Sequence, residues 1–179
     1  MINVNLIGGP GLGKTTTAAE VFAALKRQRK HKVEYIPEYA KELTYANEWV
    51  RLSDQLHILG EQHHRLFRVN DKVDYIIHDS PIIIGLLYLK TEDETFKKNF
   101  ERLTIDLFKS YNNLNILLER STEREYQKYG RTQTEAESKE LDADAKELLL
   151  KNNIDFHTIK VIDDIVQDIL KLIESGIIN

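Results

Sequence analysis

The chain has 179 residues, enough for one domain with a substantial core, and its 25 Lys and Arg against 29 Asp and Glu give a net charge of -4. This balance argues against a general nucleic-acid coat, although it leaves a local basic groove open, and the absence of Cys excludes disulfides and thiolate metal sites. No apolar run approaches the ~20 residues that span a bilayer, and the first predicted strand begins at residue 2, so we expect a cytoplasmic protein without a signal peptide.

A glycine-rich loop follows this first strand, which is predicted from the apolar residues between positions 2 and 7. Residues 8 to 15 read GGPGLGKT, the pattern G-x-x-x-x-G-K-[ST] of a phosphate-binding loop, and residues 16–25 predict the helix that this motif requires. Glycines allow several backbone N–H groups to point at phosphates, and the helix N-terminus adds positive partial charge. We therefore predict that nucleotide phosphates contact Gly8, Gly9, Pro10, Gly11, Leu12, Gly13, Lys14, Thr15 and Thr16.

Two side chains of the loop have specific chemistry. Lys14 provides a positive charge for the β- and γ-phosphates, and Thr15 offers a hydroxyl to Mg²⁺. A glycine turn that binds nothing is the less favoured alternative, because the motif and its context agree. The loop therefore predicts a nucleoside triphosphate with Mg²⁺ as the ligand.

Strand-like and helix-like patterns alternate along the rest of the chain. Further strands are predicted at 33–36, 73–77, 114–118 and 156–161, and further helices at 38–43, 53–70, 82–89, 93–111, 135–150 and 162–173. Helical crossovers between strands produce a parallel sheet that is covered on both faces. We predict one three-layer α/β/α domain over residues 1–179, with a five-stranded parallel sheet.

The helix at 53–70 has one apolar and one polar side. Ser53 is its predicted N-cap, and Ser80 with Pro81 likewise predicts the start of the helix at 82–89. The predicted buried stripe consists of Leu52, Leu56, Leu59, Leu66 and Phe67. The polar side consists of Asp54, His57, Glu61 and His64, whose spacing would also suit a metal ion. We favour an ordinary polar helix face, because no second ligand-rich segment is present.

Two acidic residues follow predicted strands at the same edge of the sheet. Asp79 ends the third strand, and Glu38 follows the second. Ligands of open α/β sheets bind at the carboxyl ends of the strands, so we assign Glu38 to the proton of an acceptor hydroxyl and Asp79 to the metal. Each has a structural alternative as a first-turn acid that interacts only with the helix dipole. Weaker candidates for an acceptor pocket are Tyr39, Gln62, His63 and Tyr88.

Residues 119–135 form a polar interruption that contains Arg120, Arg124 and Arg131. We predict a mobile lid over the donor phosphates, because few apolar side chains offset the backbone entropy of ordering, roughly 1–2 kcal/mol per residue. A polyphosphate would supply the charge partner, and we expect Arg124 and Arg131 to neutralise the transferring phosphoryl group. Solvated surface Arg side chains are the alternative.

Three classes of phosphate-loop protein compete. A GTPase needs Asn-Lys-x-Asp after a late strand, whereas residues 118–121 after the fourth strand read LERS. A motor or AAA-type ATPase would have Asp-Glu at the end of an apolar strand, whereas residues 78–81 read HDSP. A small-molecule kinase needs a phosphate loop, an acid near the acceptor hydroxyl and Arg side chains for the γ-phosphate, all of which are present.

Four stretches of the chain, residues 8–17, 37–42, 79–80 and 130–131, read GGPGLGKTTT, PEYAKE, DS and GR. In order and spacing they resemble the NadR-type P-loop kinase/ATPase family, which includes nicotinamide riboside kinase domains and many phage-encoded proteins. More broadly, the layout resembles nucleoside and nucleotide kinases, which have a lid. The resemblance implies phosphoryl transfer from ATP with Mg²⁺ to a nucleoside, nucleotide or nicotinamide-riboside-like acceptor.

Other functions of the same fold stay open at this point. A nucleoside triphosphatase or a nucleotide-sensing module would use the same phosphate loop without an acceptor. A kinase that acts on a modified base within DNA is a further variant, against which the acidic net charge weighs. We expect ATP and a small hydroxyl acceptor as partners, and neither a membrane nor nucleic acid.

Overall fold

The computed structural model describes residues 1–121, 134–162 and 164–175. Its strands are β1 (Ile2–Ile7), β2 (Val33–Ile36), β3 (Tyr75–His78), β4 (Asn113–Glu119) and β5 (His157–Lys160). Its α-helices are α1 (Lys14–Gln28), α2 (Tyr39–Tyr45), α3 (Trp49–Ser53), α4 (Gln55–Phe67), α5 (Glu94–Lys109), α6 (Glu135–Lys151) and α7 (Ile165–Ser175). None of the helices in these ranges combines the length and apolarity needed to cross a bilayer.

The strands of the described ranges form one parallel sheet in the order β2-β3-β1-β4-β5, which confirms the predicted five-stranded architecture. The central strand, β1, leads directly into the phosphate loop. Ile36 at the end of β2 and Asn5 of β1 both pair with His78 at the end of β3. The segments that follow these strands therefore emerge at one edge of the sheet.

The sheet separates two apolar layers. Val4 and Leu6 of β1 are buried with residues of α1 and α7, whereas Ile7 is buried with residues of α5, α6 and a 3-10 helix at Ile82–Tyr88. Successive residues of a strand point to opposite faces, so β1 contributes to both layers. This arrangement confirms the predicted α/β/α layering.

A row of buried polar side chains crosses the middle of the sheet. Asn5 of β1 donates from Nδ2 to Asn115 Oδ1 at 2.9 Å and to Asn113 Oδ1 at 3.0 Å, both on β4. Asn3 and His78 are also buried, and His78 lies beside Asn5 in the strand register. Central strands of a parallel sheet are usually apolar throughout, so this row is an unusual feature of this fold.

The helix predicted at 53–70 forms as α4, but its N-cap lies one residue later than predicted. The chain forms α3, breaks at Asp54, and begins again as α4. Asp54 is the N-cap, because its Oδ1 accepts hydrogen bonds from Leu56 N and His57 N, both at 3.1 Å. Ser53 instead ends α3, and its hydroxyl donates to Val50 O at 2.8 Å.

The predicted buried stripe of this helix is also partly wrong. Leu56 is 52% exposed and Phe67 is 62% exposed, whereas Leu59 and Leu66 are buried as predicted. Gln55 and Gln62 are buried beside them. Amide side chains of this kind can be buried when they bond to backbone groups, an outcome that an apolar periodicity does not reveal.

The segment after Asp79 is a 3-10 helix rather than the predicted α-helix. Pro81 takes the cap position with extended backbone, and Ile84 N donates to Pro81 O at 3.0 Å, a bond of 3-10 type. Ser80 does not cap it. A run of three β-branched Ile residues followed by Gly85 disfavours α-helix, whereas tight burial of residues 82–84 against the sheet stabilises the turn.

Candidate active site

The phosphate loop connects β1 to α1 at the carboxyl edge of the sheet. Gly13 is the N-cap of α1 with φ 78°, in the left-handed region that glycine tolerates, and no side chain caps the helix. Thr15 and Thr16 are exposed in its first turn. The N–H groups at the start of α1 are therefore directed toward an open anion-binding position.

Lys14 extends across the same loop. Its Nζ donates to Gly8 O and to Gly9 O, both at 2.7 Å. Burial lowers the pKa of Lys14, and the carboxylates of Glu38, Asp79 and Asp142 oppose that shift. Acidic side chains from three different parts of the chain therefore act electrostatically on the ammonium group.

Asp79 is buried directly after β3, and only 1% of its surface is exposed. Tyr35 of β2 donates its hydroxyl to Asp79 Oδ2 at 3.0 Å. The other oxygen, Oδ1, has no hydrogen-bond partner among the described residues. A buried carboxylate oxygen that the described residues leave without a partner is available to a ligand, and Mg²⁺ prefers oxygen donors, so Asp79 together with the exposed Thr15 hydroxyl fits the predicted metal.

Glu38 lies at the N-terminus of α2, directly after β2. Burial raises the pKa of its carboxyl group, Lys14 and Lys41 lower it, and Asp79 raises it. Burial has the largest of these effects, and the net shift is upward. The pKa of Glu38 is thus higher than that of an exposed Glu, which suits a residue that accepts a proton.

The start of α2 is fixed by Gln62 of α4. Gln62 Oε1 accepts from Tyr39 N at 3.0 Å, and Gln62 Nε2 donates to Pro37 O at 3.3 Å. Gln62 therefore holds the backbone on both sides of Glu38 and has its amide committed to that contact. Gln62 is one of the weaker sequence candidates for the acceptor pocket, and its side-chain hydrogen bonds in the described residues are with the backbone.

The other candidates for the acceptor pocket, Tyr39, Tyr88 and His63, have different surroundings. Tyr39 bonds through its hydroxyl to His57 Nε2 at 2.9 Å, and Arg65 lies over its ring at 4.7 Å. The pKa of Tyr88 is raised by burial and then by Glu38 and Asp142, so its hydroxyl lies on the side of the acids. His63 instead bonds to the hydroxyl of Tyr111 at 2.9 Å.

The alternative metal site on α4 is not formed. Asp54 caps the helix and His57 bonds to Tyr39. Within the described ranges, no three His, Asp or Glu side chains are grouped so as to hold a metal ion.

Asp142 of α6 contacts the outer side of the phosphate loop. Its Oδ1 accepts from Gly9 N at 2.7 Å, and its Oδ2 accepts from Arg120 Nε at 2.5 Å. Arg120 also donates to Pro10 O at 2.6 Å. Arg120 and Asp142 border a cleft of about 350 Å³ between the end of β4 and α6. Arg124, Arg131 and residues 122–133 of the predicted lid lie outside the described residues.

Comparison with known proteins identifies the family. Residues 3–165 match the model of a family described as an AAA domain. The chain belongs to this family. This match confirms the resemblance found in the sequence, since the fold is that of P-loop kinases and nucleoside triphosphatases. A search of curated proteins finds no match.

Solved structures show the same fold as this AAA domain. The chain is similar to deoxyadenosine kinase from M. mycoides with bound dATP, at 17% identity and a TM-score of 0.57 over 97% of both chains. A second structure of that enzyme, with products dCMP and a flexible dCDP bound, has 18% identity and a TM-score of 0.55 over 97% of this chain and 96% of that one. A shikimate kinase from Bacteroides thetaiotaomicron has 12% identity and a TM-score of 0.46 over 97% of both. The similarity to the two deoxyadenosine kinase structures establishes the fold alone.

Two residues of the candidate site have no counterpart in the sequence predictions. Tyr35 lies in the strand predicted at 33–36 and Asp142 in the helix predicted at 135–150, and neither was assigned a role in the site. The strand register could have indicated Tyr35, because β2 and β3 end side by side. Nothing in the local sequence distinguishes Asp142 from Asp144 two residues later, and only the packing of α6 on the loop does so.

Proposed function

We propose that this chain is a kinase that transfers the γ-phosphoryl group of ATP, with Mg²⁺, to the hydroxyl of a nucleoside, nucleotide or nicotinamide-riboside-like acceptor. One observation carries the proposal: two acids, Glu38 and Asp79, follow neighbouring strands at the sheet edge where the phosphate loop lies, and both act electrostatically on Lys14. A metal-binding acid alone would leave no group to accept the proton of the attacking oxygen. Glu38, partly buried and with a raised pKa, supports such a proton acceptor, and we assign it to the hydroxyl of a substrate.

Each side chain has one role in this proposal. Lys14 binds the β- and γ-phosphates, and the first-turn N–H groups of α1 bind them from the other side. Thr15 and Asp79 hold Mg²⁺, which neutralises phosphate charge when it is bound. Glu38 orients the acceptor hydroxyl and accepts its proton. Arg124 and Arg131 are proposed, from the sequence, to neutralise the transferring phosphoryl group.

We place the acceptor between the start of α2, α4 and the 3-10 helix, because Tyr39 follows Glu38 in the chain and Glu38 acts electrostatically on Tyr88 of the 3-10 helix. Rings of this kind suit a nucleobase or a pyridine. The similarity in fold to a deoxyadenosine kinase supports a nucleoside as the first acceptor to test.

A nucleoside triphosphatase is the second candidate, and the description of the family as an AAA domain favours it. Such an enzyme, or a nucleotide sensor, would use the same phosphate loop and Asp79. In such an enzyme Glu38 would accept the proton of an attacking water instead of that of a substrate hydroxyl.

A screen of ATP consumption separates these functions. Purified protein is incubated with ATP and Mg²⁺ alone and with a panel of nucleosides, nucleotides, nicotinamide riboside and DNA that contains modified bases, with Lys14→Ala as the control. The proposal predicts turnover that depends on one acceptor and yields its phosphorylated product. Phosphate release that is independent of every acceptor would establish the triphosphatase, and tight ATP binding without turnover would establish a sensor.

A further inference from the structure

The phosphate loop of this chain is held from outside by a helix that follows the sheet's fourth strand. Asp142 of α6 accepts a hydrogen bond from Gly9 N at 2.7 Å, although the two residues lie far apart in sequence. A carboxylate that accepts from a backbone N–H forms a charge-assisted bond, which is stronger than a neutral one. This bond joins α6 directly to the backbone of the loop.

The approach of α6 depends on a glycine. A Cβ built at Gly9 would lie 2.5 Å from Ser138 O and 2.6 Å from Asp142 Oδ1, closer than real Cβ atoms approach such groups. Any side chain at position 9 would therefore displace either the loop or α6. Gly9 is therefore part of the phosphate-loop motif and also allows α6 to approach the loop.

Arg120 completes the connection at the end of β4. It pairs with Asp142 through Nε and donates from its guanidinium to Pro10 O at 2.6 Å. Two consecutive loop residues, Gly9 and Pro10, are thus bonded to one ion pair, the first through its N–H and the second through its carbonyl. The pair is partly buried, with 19% and 22% of the two side chains exposed.

We propose that Asp142 and Arg120 are positioning residues that fix the first half of the phosphate loop and thereby set the affinity for nucleotide. This inference rests on the nucleotide-binding part of the proposed function and is independent of the acceptor. Pre-organised binding groups favour a ligand because less conformational freedom is lost on binding. Arg120 also neutralises Asp142, which would otherwise repel a polyphosphate.

The positioning role of Asp142 and its negative charge predict opposite effects on nucleotide affinity when Asp142 is replaced. Removal of a negative charge near a triphosphate would strengthen nucleotide binding by simple electrostatics. Loss of the loop anchor would weaken it. We expect Asp142→Ala to bind a non-hydrolysable ATP analogue about tenfold more weakly, the range for loss of a hydrogen bond to a charged group.

Asp144 provides a matched control, because it lies on the same helix, carries the same charge and is exposed. Asp144→Ala should bind the analogue with wild-type affinity or slightly more tightly. Asp142→Leu retains the helix but has no acceptor, and it should resemble Asp142→Ala. Asp142→Asn keeps one acceptor oxygen for Gly9 N–H and should bind more tightly than either.

The experiment is a calorimetric titration of each variant with the analogue and MgCl₂, at a temperature where thermal melting shows all of them folded. Hydrogen exchange at the Gly9 amide, followed without nucleotide, should be faster in Asp142→Ala and Asp142→Leu. For the active enzyme, KM for ATP should rise in Asp142→Ala while KM for the acceptor does not change. A purely structural role would lower the melting temperature without this selectivity.

Wild-type or tighter binding by Asp142→Ala and Asp142→Leu would overturn the inference. Lys14→Ala separates this failure from failure of the nucleotide site, because it removes the phosphate-binding charge itself. If Lys14→Ala loses affinity while the Asp142 variants do not, only the positioning role is wrong. If Lys14→Ala binds as the wild type does, both the nucleotide site and the positioning role are wrong.

Discussion

At the scale of single residues, Glu38 and Asp79 are two acids at one edge of the sheet with different surroundings. Glu38 faces Lys14 and Lys41, and its pKa is raised by burial. Asp79 accepts from Tyr35 and keeps one buried oxygen without a partner in the described part of the chain. These differences support the proposed roles, the acceptor proton for Glu38 and the metal for Asp79.

Substitution of each acid should separate these roles. Glu38→Gln should lower turnover by about 10²-fold or more, the range for loss of a general base, and leave ATP affinity nearly unchanged. Asp79→Asn should lower turnover and raise the Mg²⁺ concentration needed for half-maximal rate. Steady-state rates measured against ATP and Mg²⁺ check both, and exchanged phenotypes would reverse the assignment.

The raised pKa of Glu38 has a consequence for the pH profile. A base must be deprotonated to act, so kcat/KM should fall as pH decreases through the raised pKa. This acidic limb should lie at higher pH than an ordinary Glu would give. It should be absent from the residual rate of Glu38→Gln, and an unchanged limb in that variant would mean that another group titrates.

Tyr35 positions Asp79. Burial, followed by the charge of Asp79, raises the pKa of the Tyr35 hydroxyl, so it remains a donor at neutral pH. Tyr35→Phe removes only this bond. Partners of metal ligands typically contribute 10- to 100-fold, and we expect the Mg²⁺ requirement to rise by about tenfold. ATP binding in the absence of Mg²⁺ is the control and should not change, whereas an unaltered Mg²⁺ titration would show that Asp79 does not depend on Tyr35.

At the scale of elements, the break between α3 and α4 depends on the cap at Asp54. Asp54→Ala leaves two N–H groups of α4 without their acceptor, and we expect a loss of about 1 kcal/mol of unfolding free energy. Ser53→Ala is the matched control, because its hydroxyl is exposed and bonds only to the preceding turn. Urea unfolding of the two variants tests the cap. Equal losses, or a larger loss in Ser53→Ala, would contradict it.

At the scale of the whole molecule, the polar row in the sheet affects stability. His78 is 1% exposed, and neither of its ring nitrogens has a hydrogen-bond partner among the described residues. Burial lowers its pKa to about 4 from the usual value of 6.5. The unfolded chain therefore binds this proton more readily than the folded one does.

The sign of the pH dependence follows from that difference. The contribution of neutral His78 to the free energy of unfolding is fully present above pH ~6.5 and decreases as pH falls toward ~4. The total loss, reached once His78 is protonated in the folded chain as well, is about 3 kcal/mol. Urea unfolding of wild type and His78→Phe between these pH values checks it. The variant should lose less stability on acidification, and parallel curves would show that His78 does not titrate with folding.

The sequence by itself determined the architecture and the phosphate loop. Apolar periodicity is a local property, and the helical crossovers between strands left a parallel sheet as the expected outcome, which the order β2-β3-β1-β4-β5 confirms. The phosphate-loop motif is likewise local, because its glycines, Lys14 and Thr15 act within one turn of chain. Strand ends also placed Glu38 and Asp79 at the same edge.

Only the tertiary structure decided which other side chains reach these groups. Tyr35 meets Asp79 because two strands end in register, and Asp142 meets Gly9 because α6 packs across the loop. Gln62 fixes the backbone around Glu38 instead of entering a pocket. Each contact joins residues that are distant in sequence. Its formation depends on how helices pack, so the local pattern around an Asp, a Gln or a Tyr does not contain it.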